Sequence, residues 1–155
     1  MGLKVIDGMM KLKKNFIVVD FNPEKIRDLI KKGVHCICGD MSNLEILEEL
    51  NIDKAKMVIS TVHIYENSAL IIKKVREVNK EAIIIVSSRS ITEALSLYEH
   101  GADYVIVPES LAGEKIYNYM VHLTLPGIKK WGKVHYKSLV DEEKRLNELS
   151  RTFAK

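Results

Sequence analysis

The most constraining stretch of the chain is a short apolar run that ends in an acid. Phe16 is followed by three β-branched residues and then by Asp20. Such a run predicts a parallel strand buried on both faces, with the carboxylate of Asp20 at the carboxyl edge of a sheet. Pro23 comes next and suits the first turn of a helix. Ligands bind at this edge of open α/β sheets, so the stretch predicts a fold class and a place for a site.

Strand-like and helix-like segments alternate along the chain. Predicted strands cover residues 16–19, 34–38, 57–59, 83–86 and 104–107, and predicted helices begin at or near residues 2, 23, 44, 66, 91 and 110. We expect Gly33 and Gly101 to end helices, Ser110 to cap the last helix of the domain, and the helix from residue 91 to carry Ile91, Leu95 and Tyr98 on one apolar side. This alternation is typical of an α/β protein with a doubly wound parallel sheet and right-handed crossovers. We expect one domain over residues 1–124. A basic tail over residues 125–155 follows the break predicted at Pro126-Gly127. It is expected to be helical from Ser138 to Phe153, with a loose apolar stripe of Leu139, Leu146, Leu149 and Phe153.

Composition limits the classes of function. The net charge of +3 is too small to argue for nucleic-acid binding. No stretch approaches the about 18 apolar residues of a membrane span, and no apolar secretory signal is visible. Cys36 and Cys38 are two residues apart in a predicted strand, so they point the same way and do not easily bridge each other. These features predict a cytoplasmic protein with reduced thiols.

Polar residues close most of the predicted strands and would lie on one rim. They are Asp20, Asp40, Ser60, Thr61, Ser87 and Arg89. In dinucleotide-binding folds, an acid placed like Asp20 accepts hydrogen bonds from the ribose hydroxyls. The competing interpretation makes Asp20 and Asp40 turn or cap acids, and the hydroxyl residues ordinary strand-end turns. His63 lies near the rim, but no serine, cysteine or acid is spaced to make it catalytic, so no catalytic residue is predicted.

Four sequence blocks together resemble a known family. They are residues 18–24, Gly39-Asp40, residues 58–61 with Asn67, and the Gly-Ala-Asp-Tyr-Val-Ile-Val-Pro-Glu block at 101–109. The set is similar to the regulator of K⁺ conductance (RCK) domain, also called the Trk N-terminal (TrkA-N) or Kef-type domain, over residues 2–120. The resemblance implies a Rossmann-like fold. It also implies binding of NAD(H) or another adenine nucleotide on the cytoplasmic side of a potassium channel, potassium uptake system or cation/proton antiporter.

The resemblance further implies which residues bind the nucleotide and what binding does. The matching residues are Asp20 with its neighbour Phe21 for the ribose, Asp40 and Met41 for the adenine, and Ser60 and Thr61 for the nicotinamide half or the pyrophosphate. In the family, nucleotide binding shifts a conformational equilibrium that gates transport. Members commonly dimerise, so we expect a homodimer or higher oligomer, cytoplasmic or peripheral to the membrane through a transporter partner.

Some relatives bind Ca²⁺ through acids at the strand ends. The corresponding positions in this chain are Thr61, Ser87 and Arg89. None of the three supplies a carboxylate, the ligand that Ca²⁺ most commonly takes from side chains. We therefore expect no metal site.

The departure from the family pattern is at the start of the chain. Members open with a strand and a Gly-x-Gly-x-x-Gly loop, whereas residues 1–5 look like the third glycine and the helix behind it. Without the first two glycines, a diphosphate loses most of its backbone N–H donors. Three arrangements stay open: the flanking strands close up, a partner chain lends a strand, or the sequence begins inside a longer protein. We favour the third as the origin, and it still needs one of the first two to explain folding.

Two other functions remain as alternatives to a regulatory domain. One is an NAD(P)-dependent Rossmann oxidoreductase, although the chain is short for an added substrate domain and shows no acid–base constellation. The other is a truncated scaffold that oligomerises and no longer binds nucleotide. We expect a binding protein and not an enzyme.

Overall fold

The structure of the chain is a computed structural model that describes residues 1–41 and 43–151. Its strands are β1 (Ile17–Asp20), β2 (His35–Cys38), β3 (Met57–Ile59), β4 (Ile83–Ser87) and β5 (Tyr104–Ile106). Its helices are α1 (Gly2–Lys11), α2 (Pro23–Lys31), α3 (Leu44–Glu49), α4 (Tyr65–Val78), α5 (Ile91–Glu99), α6 (Pro108–His122) and α7 (Leu125–Arg151). A short 3-10 helix covers Ile52–Lys54.

The strands form two parallel sheets and not one. β1 pairs with β2, and β3, β4 and β5 form a second sheet in that order. Within the described residues, no strand pair joins β1 to β3. This is the doubly wound order with the position of the first strand unfilled. The predicted fold class is confirmed: parallel sheets with flanking helices, Rossmann-like, with a helical C-terminal tail. The arrangement in which β1 and β3 close up on each other is not the one that forms.

The main core lies around β4, the middle strand of the three-stranded sheet. Ile84 and Val86 are fully buried there because β4 has a neighbour on each side. α4 contributes Ile72 and Val75, and α5 contributes Leu97, all fully buried as well. This cluster of apolar side chains is what holds β3, β4 and β5 together.

Two connections attach the smaller sheet to this core. Met41, just after β2, packs against the core, and Leu47 of α3 belongs to it. At the other connection, α1 begins beside the larger sheet, where Ser87 Oγ lies 3.9 Å from Met1 Sδ. The chain then runs from the end of α1 into β1. Both sheets are therefore parts of one body.

The Gly-Ala-Asp block before β5 has a structural role in this fold. Gly101 has φ of +104°, a conformation that favours glycine. The Arg76 guanidinium donates to the carbonyl of Gly101 at 3.0 Å and to Asp103 at 2.7 Å. Asp103 also accepts from the Ile84 N–H at 2.6 Å. The block thus ties α4, β4 and β5 together.

Two predictions about the C-terminal helices are wrong. α6 begins at Pro108, so Ser110 lies inside the helix and does not cap it. α7 begins at Leu125, thirteen residues before the predicted start at Ser138. Proline is tolerated in the first turn of a helix, because the N–H groups of that turn have no intrahelical acceptor and the one that proline lacks is not needed. Pro126 therefore lies in the first turn of α7 and does not break the helix. Thr124 accepts from the Gly127 N–H at 3.3 Å as a cap. Phe153, predicted on the tail's apolar stripe, lies outside the described residues.

The helix faces are also partly different from those predicted. Ile91, Leu95 and Tyr98 were expected to share the apolar side of α5, but their side chains are 65%, 60% and 42% exposed. α5 buries Ala94 and Leu97 instead. Helical periodicity alone does not distinguish the two faces, because both carry apolar residues.

The chain divides into two compact units, Met1–Glu109 and Ser110–Lys155. Both sheets and the core belong to the first unit. The second holds most of α6 and α7, and α6 buries no residue. The predicted boundary between residues 124 and 125 stays a prediction. None of the helices in the described residues combines the length and the apolar character that a membrane crossing requires.

Candidate functional site

The predicted site residues lie at the carboxyl ends of three strands. Asp20 closes β1, Asp40 follows β2, and Ser60 and Thr61 follow β3. Paired strands are parallel, so within each sheet these ends share one edge. Asp20 and Asp40 therefore belong to the edge of the smaller sheet, and the two hydroxyl residues to the edge of the larger one.

Asp20 has a turn role in the structure. Its Oδ1 accepts from the Asn22 N–H at 2.9 Å, and Asn22 in turn caps α2 by accepting from the Glu24 N–H at 2.9 Å. The other oxygen, Oδ2, lies 3.5 Å from Lys25 Nζ. One contact does not fill the acceptor capacity of a carboxylate oxygen, so Oδ2 retains capacity for a ligand hydroxyl.

The residues beside Asp20 and Asp40 differ in exposure. Phe21 is 78% exposed, so its ring adds little to the core. Asp40 is exposed, and its backbone carbonyl accepts from the Asn43 N–H at 2.9 Å. Met41 is partly buried and packs against the core. Of these residues, the predicted adenine neighbour Met41 is the one that also has a packing role.

Ser60 and Thr61 are placed differently at the end of β3. Ser60 is only 7% exposed, and its Oγ accepts from the Val62 N–H at 3.4 Å. Its carbonyl accepts from Ser87 Oγ at 3.3 Å. Ser60 therefore forms hydrogen bonds within the protein and has little surface left for a ligand. Thr61 is half-buried, and its Oγ1 would lie 3.2 Å from a Cβ added to Gly2, so α1 approaches β3 closely there.

The N-terminus of α1 lies at this same edge. The first turn of a helix leaves backbone N–H groups without intrahelical acceptors and carries the positive end of the helix dipole. α1 has no side-chain cap and no acidic residue in its first turn. Gly2 is the first helical residue, which agrees with its interpretation as the glycine of close helix–strand packing. The edge therefore offers backbone donors to an anion.

A pocket of about 230 Å³ lies nearby on the carboxyl side of β4 and β5. It is lined by His63, Ser88, Arg89, Pro108 and Glu109. His63 Nδ1 is buried and has no hydrogen-bond partner in the part of the chain that the structure describes. Sequence reasoning placed His63 and Arg89 near the rim but not as ligand-binding residues. A sequence signal existed for Arg89, because this cationic residue directly follows Ser87 and Ser88 at the end of a predicted strand.

The described residues offer little for metal or covalent chemistry. They contain no group of three or more His, Cys, Asp or Glu arranged to hold a metal ion. Burial raises the pKa of the Cys36 thiol, which disfavours the nucleophilic thiolate. The arrangement at the edge can thus bind an anionic, hydroxylated ligand, and it presents no nucleophile with an adjacent base.

Relatives with known sequences match most of this chain. An uncharacterized protein of Mycoplasma genitalium is 27% identical over 121 residues, which is 78% of this chain and 53% of that protein. Potassium channel protein 1 of Methanocaldococcus jannaschii is 24% identical over 118 residues, which is 75% of this chain and 35% of the channel. The chain spans about half of the first relative's length and about a third of the second's.

Solved structures share the fold. The TrkA-N domain of the inner membrane protein ybaL from Escherichia coli has a TM-score of 0.74 at 20% identity, covering 76% of this chain and 87% of that one. The GsuK channel bound to NAD has a TM-score of 0.61 at 21% identity, covering 69% and 19%. The Shewanella denitrificans Kef C-terminal domain in its AMP-bound form has a TM-score of 0.61 at 12% identity, covering 97% and 92%.

The TrkA-N domain family matches residues 1–108, well over half of the chain. The match covers both sheets and the residues at their carboxyl ends. The resemblance seen in the sequence is thereby confirmed: this chain belongs to the TrkA-N domain family.

Proposed function

We propose that this chain is a nucleotide-sensing regulatory domain of a potassium channel, potassium transporter or cation/proton antiporter. An adenine nucleotide, with NAD(H) as the first candidate, binds at the carboxyl edge on the cytoplasmic side and biases a gating conformation. The observation that carries the proposal is the N-terminus of α1, which has no side-chain cap. It lies against Thr61 and Ser87, at the carboxyl edge where the predicted site residues also lie. Three structural neighbours hold NAD, ADP or AMP, which supports this ligand class.

In this proposal the residues at the edge bind different parts of the nucleotide. Asp20 Oδ2 accepts from a ribose hydroxyl, with Phe21 beside it. Asp40 and Met41 border the adenine. Thr61 and the first turn of α1 bind the phosphates, and the buried Ser60 positions Thr61 and does not contact the ligand itself. The first-turn N–H groups of α1 are backbone donors for the phosphates.

The experiment is thermal unfolding with NAD⁺, NADH, AMP, ADP and ATP. A ligand present at 100 times its dissociation constant adds about 2.7 kcal/mol to the free energy of unfolding of the native state. For a domain of this size, we expect a rise in the midpoint of several degrees with one of these nucleotides. No rise with any nucleotide contradicts the proposal and favours the non-binding scaffold. Turnover of a hydroxy or carbonyl substrate with NAD(P) contradicts it in favour of the oxidoreductase.

A matched variant tests the role of Asp20. Asp20→Asn keeps an oxygen that can accept from the Asn22 N–H, so the turn before α2 is preserved. It removes the negative charge and one carboxylate oxygen, and we expect at least about a tenfold loss of nucleotide affinity, which is about 1.4 kcal/mol. Asp53→Asn, in the 3-10 helix, is the control, since its side chain is not at the carboxyl edge.

We also propose that the chain self-associates. α6 buries no residue, and large apolar side chains on it are 44% to 73% exposed. These are Leu111, Ile116, Tyr117, Met120 and Val121. The four from Ile116 to Val121 share one side of the helix by its period of 3.6 residues, and an exposed apolar side of this kind is typical of a protein–protein contact. Light scattering should give at least twice the chain mass of 17.7 kDa, and a monomeric mass at all concentrations contradicts the proposal.

A further inference from the structure

The first half of α7 carries positive charge and no negative charge. Between Leu125 and Val140 the sequence has four lysines and no aspartate or glutamate, and the next acid is Asp141. The lysines are Lys129, Lys130, Lys133 and Lys137. None of them forms a salt bridge within the described residues. The part of the protein that the structure describes therefore leaves this charge available to a partner.

The helical period sorts these residues into two sides. At about 100° per residue, the four lysines fall within about 100° of the circumference of α7, and we call this the basic side. An arc of roughly 140°, largely opposite to it, carries apolar and aromatic residues and is called the apolar side. Its large side chains are those of Leu125, Ile128, Trp131, Tyr136 and Leu139. The first half of α7 is thus amphipathic.

The apolar side of α7 is open to solvent. Its five large side chains are all exposed, from 37% for Ile128 to 79% for Leu125. A ring contact with α6, between Tyr119 and Trp131 at a centroid distance of 6.5 Å, leaves Trp131 52% exposed. α6 therefore covers only part of this side. A continuous exposed apolar surface rimmed by polar residues marks an interaction site.

The chemistry of the two sides indicates what kind of partner covers them. Helices that lie in the plane of a bilayer surface have lysines on one side and Trp, Phe or Leu on the other. Tryptophan and tyrosine favour the level of the headgroups, where an apolar ring with a polar tip meets both environments. Each lysine near an anionic leaflet strengthens binding about fivefold. An acidic protein would match the lysines, but not the aromatic residues of the apolar side.

We infer that residues 125–140 form a membrane-surface helix that binds anionic phospholipid directly. Its apolar side lies at the boundary between headgroups and acyl chains, and its lysines lie at the headgroup phosphates. This goes beyond attachment through a transporter partner, because the lipid itself is the ligand. The inference depends neither on nucleotide binding nor on the contact proposed for α6.

The test uses the full chain and the fluorescence of Trp131, which is the chain's one tryptophan. The probes are vesicles of phosphatidylcholine alone and vesicles of phosphatidylcholine with an equal share of phosphatidylglycerol. Flotation of the vesicles gives the bound fraction. We expect the anionic vesicles to shift the Trp131 emission to shorter wavelength and to bind the chain at least about tenfold more tightly than the neutral ones.

Salt and charge variants test the part of the lysines. Binding should weaken as salt rises from about 0.1 M to about 1 M, because the Debye length falls from about 10 Å to about 3 Å. Lys130→Gln combined with Lys133→Gln should weaken binding about twentyfold, since two of the four charges are lost. The matched control is Lys54→Gln combined with Lys80→Gln. It removes two exposed charges from the first unit and should leave binding unchanged.

A second pair of variants tests the apolar side. Leu139 is 47% exposed on the apolar side, and Val134 is 56% exposed outside it. Leu139→Gln should weaken binding at least about fivefold, because a buried leucine side chain is replaced by a polar one. Val134→Gln makes a similar change on the same helix and should leave binding unchanged. Both positions are exposed, so neither change disturbs the core.

Four outcomes overturn the inference. In the first, anionic vesicles neither shift the Trp131 emission nor carry the chain on flotation. In the second, neutral vesicles bind as tightly as anionic ones, or Val134→Gln weakens binding as much as Leu139→Gln does. In the third, the emission shifts as protein concentration rises without vesicles and vesicles add nothing, which assigns the apolar side to a second copy. In the fourth, soluble polyglutamate gives the same shift as the vesicles, which assigns it to an acidic protein.

Discussion

Single polar side chains fix the loops around the larger sheet. Asn79, just after α4, donates to the carbonyls of Ile52 at 2.9 Å and Ala55 at 2.8 Å. Its Oδ1 accepts from the Ala82 N–H at 3.0 Å, at the approach to β4. Arg76, one turn earlier, plays the same part toward Asp103. These residues satisfy loop carbonyls that no strand or helix reaches, which is why a few side chains fix so much of the backbone.

Asp103 gives a prediction about pH. Its hydrogen bond from the Ile84 N–H, together with Arg76, lowers the pKa of the carboxyl below its ordinary value of 3.8. A lowered pKa in the folded state means that its contribution to stability is full above the unfolded pKa and is lost as pH falls through the folded one. We expect urea denaturation to show wild type more stable than Asp103→Asn at pH 7. This difference should shrink below about pH 4. A difference that stays constant down to pH 2 contradicts this.

At the scale of elements, Gly8 and Gly33 differ in backbone conformation, although both have open space around them. Gly8 lies in the middle of α1, and a Cβ added there would meet no atom within 4 Å. Gly33 follows α2 with φ of +75° and is equally open. Steric space is thus the same at both positions, and backbone conformation is the difference. This makes the two positions a matched pair.

Alanine at these two positions should change stability in opposite directions. Gly8→Ala should raise the free energy of unfolding by about 0.5–1 kcal/mol, because alanine is the better helix former. Gly33→Ala should lower it by about 1 kcal/mol, because alanine is strained at positive φ. Chemical denaturation of both variants beside wild type checks this. Equal effects of the same sign would show that the conformation of one of the two glycines differs from that described.

At the scale of the whole molecule, stability is concentrated in the first unit. The main cluster of buried apolar residues lies between Leu47 and Val105, and the other buried apolar residues, Ile26, Leu29 and Val34, lie in the first unit as well. α6 buries no residue, and the described side chains of α7 are exposed or half-buried. The second unit therefore contributes little to the core that unfolds cooperatively.

Truncation after residue 124 tests this and the predicted domain boundary. We expect the shortened chain to unfold cooperatively, with a midpoint within about 4 °C of the full chain, which corresponds to a change of about 1–2 kcal/mol. Circular dichroism at 222 nm during heating gives both quantities. A shortened chain that is unfolded or unfolds without cooperativity would show that α7 is needed for the core.

The comparison of prediction and structure separates local from non-local information. β3 was predicted with its observed bounds, and the other strands within about one residue, because runs of β-branched residues between turn signals define a strand locally. Gly33 and Gly101 were predicted as helix stops and have positive φ. The predicted site residues lie at carboxyl edges of the sheets, because each follows a strand and paired parallel strands have their carboxyl ends on the same edge. Whether they bind nucleotide stays a prediction.

What the sequence by itself determined is therefore the order, type and direction of the elements and the family. The tertiary structure decided three things that no local pattern contains. It put the outward face of α5 at Ile91 and Leu95, drew Ser60 into the interior, and divided the strands into two sheets with no pairing of β1 to β3 among the described residues. Each depends on which distant segment is available to pack or to hydrogen-bond. Periodicity records that a surface is apolar, but only the neighbours in space decide whether it is covered.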